Sequence, residues 1–143
     1  MGFLSNMLGS KPKYPDLTSE NPLANRVEQI KGPLQSLMEK VKDPIEVVPA
    51  DSYTYVFIGK PPKRFGIAWI KEGELSNFQM VAKEKGIGAA EMQDISEKLG
   101  SAYEQYTDDS QRFSATIADR SIVVTPSTEL TKKVDQIIGD ALN

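Results

Sequence analysis

The chain of 143 residues contains no histidine and no cysteine. Without histidine it lacks the side chain whose free pKa is closest to neutrality and which is the commonest metal ligand. A Ser-His-Asp triad and a zinc site with histidine ligands are therefore excluded, and the lack of cysteine excludes disulfides and thiolate chemistry. We expect no catalytic residues, no metal and no cofactor. An enzyme that works through carboxylate, Lys or Tyr groups stays open as an alternative.

The chain also lacks a basic excess and a long apolar run. Its formal charge is −3 and its pI is near 5.1, so it gives no strong nucleic-acid signal. No segment approaches the ~18 apolar residues of a membrane span, and no basic segment precedes Phe3 to mark a secretory signal. These features are typical of a cytoplasmic protein, although the absence of cysteine is also compatible with a periplasm.

The N-terminal part of the chain differs from the rest. Residues 9–22, GSKPKYPDLTSENP, hold three prolines and little hydrophobic periodicity, which predicts a linker. We therefore divide the chain into a short amphipathic segment with a Pro-rich linker at residues 1–21 and one domain at residues 22–143. The length of that domain is typical of a single folding unit.

The first eight residues would place four apolar side chains on one side of two helical turns, those of Phe3, Leu4, Met7 and Leu8. An isolated helix of that length is marginal in water, so an ordered one needs a surface to cover its apolar side. We include these residues as candidate contacts for a protein partner. A frayed terminus, or one packed on its own domain, is the plain alternative. Peripheral membrane contact, helped by Lys11 and Lys13, is a minor third alternative.

The hydrophobic pattern of the domain predicts an α+β fold. Apolar side chains at spacings of three and four predict helices near 22–41, 75–85, 89–106 and 128–142. Runs rich in β-branched and aromatic residues predict strands at 45–48, 53–59, 65–70, 112–117 and 121–125. Gly32-Pro33 should kink or split the first helix. The expected fold is a single domain with a mainly antiparallel sheet of about five strands, in the order α-βββ-αα-ββ-α, with helices mainly on one face.

One loop carries the densest positive charge of the chain. It lies in residues 58–70, IGKPPKRFGIAWI, where Gly59 and Gly66 are followed by a predicted strand. Walker and dinucleotide-binding motifs both open a helix, so neither motif fits. What remains is a β-hairpin with an expected five-residue tip from Lys60 to Arg64, stiffened by its two prolines.

Three cations on that tip, Lys60, Lys63 and Arg64, are our candidate binding residues. No acidic residue occurs between positions 60 and 71, and we expect Lys71 to lie nearby. An acidic protein partner is the favoured ligand, and phosphate or nucleic acid is the alternative. Charged tips with prolines are also common on hairpins that face only water, which is the plain explanation of this loop.

Acidic side chains dominate residues 91–109. Six acids stand against one base, Lys98, and they are Glu91, Asp94, Glu97, Glu104, Asp108 and Asp109. Their spacing lacks the ligand pattern of an EF-hand loop, so we predict a solvated helix face on which Asp94 and Lys98 pair. The opposite charges of this helix and the hairpin tip predict, at most, a weak homo-oligomer.

Together these features favour a small non-catalytic protein-interaction or adaptor module, whose protein partner the sequence does not identify. The alternative from another class is a small-ligand or anion-binding domain, for phosphate or a nucleotide. A flat surface with exposed contacts would favour the interaction module, and a deep polar pocket would favour the alternative.

Overall fold

The computed structural model describes residues 14–107 and 111–142. Four helices occur in these ranges: α1 (Pro22–Lys40), α2 (Phe78–Glu84), α3 (Ala89–Thr107) and α4 (Thr128–Leu142). Six strands occur with them: β1 (Ile45–Pro49), β2 (Tyr53–Lys60), β3 (Arg64–Lys71), β4 (Glu74–Asn77), β5 (Phe113–Ile117) and β6 (Arg120–Val124). The predicted α+β class is confirmed, with one strand more than expected.

Local chemistry fixes the starts of two helices. The Asn21 side chain accepts a hydrogen bond from Leu23 N at 3.0 Å at the start of α1. The Ser127 hydroxyl accepts one from Leu130 N at 3.2 Å at the start of α4. Pro33 lies inside α1 but does not split it, because the buried side of the helix continues past the proline.

The six strands form one sheet in the order β4-β3-β2-β1-β6-β5. Neighbouring strands are antiparallel, except that β1 and β6 run parallel, with Glu46 opposite Val123. A parallel pair requires a long crossover, and the chain from β2 to β5 supplies it. The sheet is therefore mixed, and its pairings are mainly antiparallel.

Strand β4 occupies residues that the sequence assigns to the start of a helix. Glu72 and Gly73 have φ values of 53° and 81°, and this two-residue turn returns the chain antiparallel to β3. Helix α2 begins only at Phe78, where the Asn77 side chain caps it. Leu75, which helical spacing predicted to be buried, is 38% exposed on the edge of the sheet.

Helices cover both faces of the sheet. Helix α1 packs on the face that presents Val47 and Val56. Helices α2, α3 and α4 pack on the opposite face, which presents Val48 and Phe57. Successive side chains of a strand point to opposite faces, so the continuous buried runs of β1 and β2 contribute to two cores at once.

Residues of the predicted linker extend the sheet beside β5. Ser114 N donates a hydrogen bond to Pro15 O at 2.8 Å, and Leu17 N donates one to Ser114 O at 2.8 Å. Leu17 also packs against the core beneath α1. Residues 14–17 are thus attached to one edge of the sheet, and β4 forms the other edge.

The turn between β5 and β6 is a place where stability can be gained. Ala118 and Asp119 have φ values of 51° and 65°, a left-handed backbone that costs residues with a Cβ about 1–2 kcal/mol each. Asn-Gly is the preferred pair for such a turn. We expect Ala118→Asn combined with Asp119→Gly to raise the free energy of unfolding by about 1 kcal/mol, measured by urea denaturation. Ala118→Val should lower the free energy of unfolding. If Ala118→Val were instead more stable than the Asn-Gly variant, the turn geometry would be contradicted.

Candidate functional site

The basic tip joins β2 to β3 and is shorter than predicted. Lys60 pairs with Arg64 across the two strands, so the tip consists of Pro61, Pro62 and Lys63 instead of five residues. The peptide bond between the two prolines is cis. Lys60, Lys63 and Arg64 are all exposed, which leaves the three candidate cations accessible to a ligand.

Two glycines allow the tip to pack closely on its surroundings. Gly59 has a φ of 114°, and a Cβ there would lie 2.7 Å from Arg64 O. A Cβ on Gly100, in α3, would lie 2.6 Å from Pro62 O. Real Cβ atoms do not approach other atoms so closely, so the backbone of the tip rests directly on α3. The three cations are therefore carried by a fixed base.

Lys71 does not belong to this cluster, contrary to the sequence prediction. It pairs with Tyr53 at the far end of β3, a strand of eight residues. At about 3.3 Å per residue the two ends of β3 are roughly 23 Å apart. The error arose because closeness along an extended strand is not closeness in space.

A second segment brings two other lysines to the same end of the sheet. Gly59 N donates to Pro44 O at 2.9 Å. Arg120 donates to three carbonyl oxygens where α1 ends, at 2.8 Å, 2.8 Å and 3.0 Å, those of Met38, Val41 and Asp43. These bonds hold the chain that follows α1 against β2 and β6. Lys40 and Lys42 lie in this segment, and both are exposed.

We call the surface formed by Lys40, Lys42, Lys60, Lys63 and Arg64 the basic end. Within residues 14–107 and 111–142, none of these five cations lies within ion-pair distance of a carboxylate. Exposed carboxylates accompany them: Glu39, Asp43 and Asp119 lie in or beside the same segments, and Glu104 lies one helical turn from Gly100, on which the tip rests. Residues 60–64 carry three cations and no carboxylate, in a chain whose net charge is −3.

The other sequence candidates divide into two groups. Phe3, Leu4, Met7 and Leu8 lie outside the described residues, as do Asp108 and Asp109. The predicted pair of Asp94 and Lys98 is formed at 3.2 Å with both side chains 61% exposed, so it lies on a solvated helix face. Among the described residues, no group of carboxylates is arranged to hold a metal ion.

A buried polar network behind the basic end has no counterpart in the sequence predictions. Glu46 is 9% exposed, and its carboxylate accepts hydrogen bonds from the hydroxyls of Tyr103 and Thr125. Arg112 Nε lies 3.7 Å from the same carboxylate, which is an ion pair without a hydrogen bond. The guanidinium also donates to Tyr14 at 2.9 Å and to Tyr103 at 3.2 Å.

Burial and the nearby carboxylate shift the titration of this network. The pKa of Tyr103 is raised, first by burial and then by its hydrogen bond to Glu46. Burial alone would lower the pKa of Arg112, but Tyr14 and the Glu46 carboxylate outweigh burial and raise it. The network therefore holds a neutral phenol and a permanent cation at neutral pH. Its chemistry is that of a structural anchor joining β1, α3, the residue before β5 and the segment that contains Tyr14.

A second polar cluster lies where β2 begins. The hydroxyls of Tyr53 and Tyr55 both donate to the carboxylate of Asp135 in α4. The two phenol rings pack edge to face with centroids 5.1 Å apart, and Trp69 packs edge to face on Tyr55 at 6.4 Å. The sequence predicts the strands that carry these aromatic residues but gives no sign of Asp135. They form part of the core beneath the helices.

Alkaline pH should destabilise the protein through these phenols. Burial, and then the hydrogen bond to Asp135, raise the pKa of Tyr53 from 10.0 to about 12, and the pKa of Tyr55 is raised for the same reasons. Because the folded pKa is the higher one, the stabilisation is complete below pH 10. For Tyr53 it is lost as pH rises toward about 12. Urea unfolding across this range, together with the ultraviolet absorbance of tyrosinate, would measure it.

The control for this prediction removes the negative charge and keeps the shape. In Asp135→Asn the two phenols lose a charged acceptor, so their pKa values should fall and their absorbance should change at lower pH. If the wild type and the variant titrate together, the cluster does not set the pKa values of these tyrosines.

Comparison with protein-family models, with curated proteins and with solved structures gives no match for this chain. Within the part of the chain that the structure describes, no helix is both long enough and apolar enough to cross a membrane.

Proposed function

We propose that this chain is a non-catalytic protein-interaction module of the cytoplasm, and that its basic end binds an acidic segment of a partner protein. One observation supports the proposal above the others. The five cations of the basic end are exposed and have no carboxylate within ion-pair distance among the described residues. Two separate chain segments present them, and each segment is fixed by backbone contacts.

The form of the basic end favours a protein surface over a small anion. Three grooves of the domain lie between α3 and α4, beside α1 and beside α2, and their linings contain no residue of the basic end. A small anion is bound best by converging donors in a cleft. An extended acidic chain can instead meet separate cations in turn, which gives orientation and a fast association rate.

The interleaved carboxylates argue against nucleic acid. Asp43 and Asp119 are exposed at the same end and would repel a continuous phosphate backbone. A nucleic-acid surface usually carries a more uniform basic patch. A folded or extended protein partner can place its own cations opposite these two carboxylates, so it can use the mixed pattern for specificity.

The experiment that tests the proposal is an amide-resolved NMR titration with a glutamate-rich peptide. We expect saturable shifts at residues 40–44 and 59–66 that weaken as salt rises, because the surface charges are screened over about 8–10 Å near physiological salt. The variant Lys60→Ser/Lys63→Ser/Arg64→Ser should lose these shifts. Its thermal unfolding should stay close to that of the wild type, because the three side chains are exposed.

A matched control changes three other exposed cations by the same amount. Lys71→Ser/Lys83→Ser/Lys132→Ser alters the net charge equally but leaves the basic end intact. Equal loss of binding in both triple variants would mean that only net charge matters, and the proposed surface would be wrong. Titrations with inorganic phosphate and with a short single-stranded oligonucleotide complete the test. Binding of either one in place of the peptide would favour the anion-binding alternative.

A further inference from the structure

A pocket lies at the opposite end of β2 from the basic end. It occupies about 490 Å³ between α1, the start of β2 and the turn that joins β3 to β4, a volume within the usual range for small-molecule sites. Its apolar lining includes Ile30 and Ile70, both of which are buried. The rest of the lining is polar, and three features of that part point to a ligand.

The first feature is a buried hydroxyl group without a partner. Thr54 lines the pocket and is 1% exposed. Its Oγ1 atom makes no hydrogen bond with any described residue. Buried polar groups in native proteins are almost always paired, and an exception calls for an explanation. The atom has almost no accessible surface, so a ligand becomes its partner only if the side chains around it move when the ligand binds.

The second feature is a guanidinium without a carboxylate. Arg26 lines the pocket, is half-buried, and donates to Tyr53 O at 3.0 Å. Within the described ranges no carboxylate lies within ion-pair distance of it. Only one of its five N–H donors is used in this bond, so the others are available to a bound anion.

The third feature is a pair of carboxylates in the same lining. Asp51 and Glu72 are exposed, and among the described residues neither has a cation within ion-pair distance. Charges of both signs therefore line one pocket without neutralising each other. Only a ligand that carries both charges can pair with Arg26 and with a carboxylate at the same time.

We propose that this pocket binds a small zwitterion of the α-amino acid type. Arg26 binds the ligand carboxylate, as guanidinium groups do with good geometry, and Asp51 and Glu72 bind the ammonium group. The unpaired hydroxyl of Thr54 lies buried beside this site. The site is separate from the basic end, so neither proposal depends on the other.

The test is an amide-resolved NMR titration of the full chain with a pool of the common L-α-amino acids at millimolar concentration. We expect saturable shifts at residues 26–30, 51–54 and 70–73, and then the same shifts with the responsible amino acid alone. The N-acetyl derivative and the methyl ester of that amino acid each lack one charge and should bind at least about tenfold more weakly. Absence of saturable shifts in the pool would overturn the proposal.

Variants locate the site. Asp51→Asn and Glu72→Gln lie at exposed positions and should each weaken binding about tenfold, whereas Glu74→Gln, also exposed but outside the pocket lining, should not. Thr54→Val keeps the shape of the side chain and removes the unpaired hydroxyl, so it should raise the Tm of the free protein. Unchanged binding in the two carboxylate variants would overturn the assignment.

Discussion

Glu46→Leu should lower the free energy of unfolding by about 3–5 kcal/mol, the usual cost of breaking a buried ion pair by removing one partner. The change leaves the charge of Arg112 without its carboxylate, in a place where the Arg112 side chain is only 20% exposed. It also takes the acceptor from the hydroxyls of Tyr103 and Thr125. Because a typical domain is stable by only about 5–15 kcal/mol, urea denaturation should show a large shift.

A double-variant cycle separates the ion pair from simple loss of packing. Arg112→Met should also destabilise the protein, but Glu46→Leu/Arg112→Met should lose less than the two single losses added together, by about 2 kcal/mol. Glu91→Gln changes an exposed carboxylate in α3 and should alter stability by less than about 0.5 kcal/mol. Strictly additive losses would mean that Glu46 and Arg112 do not stabilise each other.

The buried network of Glu46, Tyr103 and Arg112 is also connected to the basic end through α3. Tyr103 binds Glu46 of β1 and packs its ring against Phe57 of β2, with centroids 5.3 Å apart. Gly100 lies one helical turn earlier in the same helix and supports Pro62. The contact of Tyr103 and the contact of Gly100 therefore fix one segment of α3 against the strands. A change in the buried network should move the base on which the basic tip rests.

Features that depend on neighbouring residues could be predicted from the sequence. The start of α1 follows from Asn21 next to Pro22, and the start of α4 follows from Ser127, because a cap acts within two or three residues. The hairpin that carries Lys60 and Arg64 follows from apolar runs on either side of a short polar loop. These features gave the fold class and the three cations of the tip.

Features that depend on distant pairing could not be predicted. The bond between Tyr103 and Glu46 joins residues 57 positions apart, and no local pattern marks either residue as a partner of the other. The parallel pairing of β1 with β6 also joins residues far apart in the sequence, such as Glu46 and Val123. Strand β4 was missed for a different reason, since Leu75 has helical spacing to Phe78 and the turn at Glu72 lacks the usual Asn-Gly signal.

Gly100→Ala and Gly139→Ala should change stability in opposite directions, although both glycines lie inside helices. At Gly139 nothing lies within 4 Å of the added methyl group, so alanine should add up to about 1 kcal/mol through its better helix propensity. At Gly100 the methyl group would meet the backbone of Pro62 at 2.6 Å. The resulting overpacking costs about 1–3 kcal/mol and should outweigh the same gain.

The position of the tip supplies a second measurement on the same two variants. In Gly100→Ala the backbone of α3 and the tip must separate, so the amide signals of residues 60–64 should shift and the acidic peptide should bind more weakly. In Gly139→Ala both should match the wild type. If both variants are stabilised and the tip signals do not move, the tip does not rest on α3. The cations of the basic end would then be carried by a free loop, and the fixed spacing on which their specificity depends would be lost.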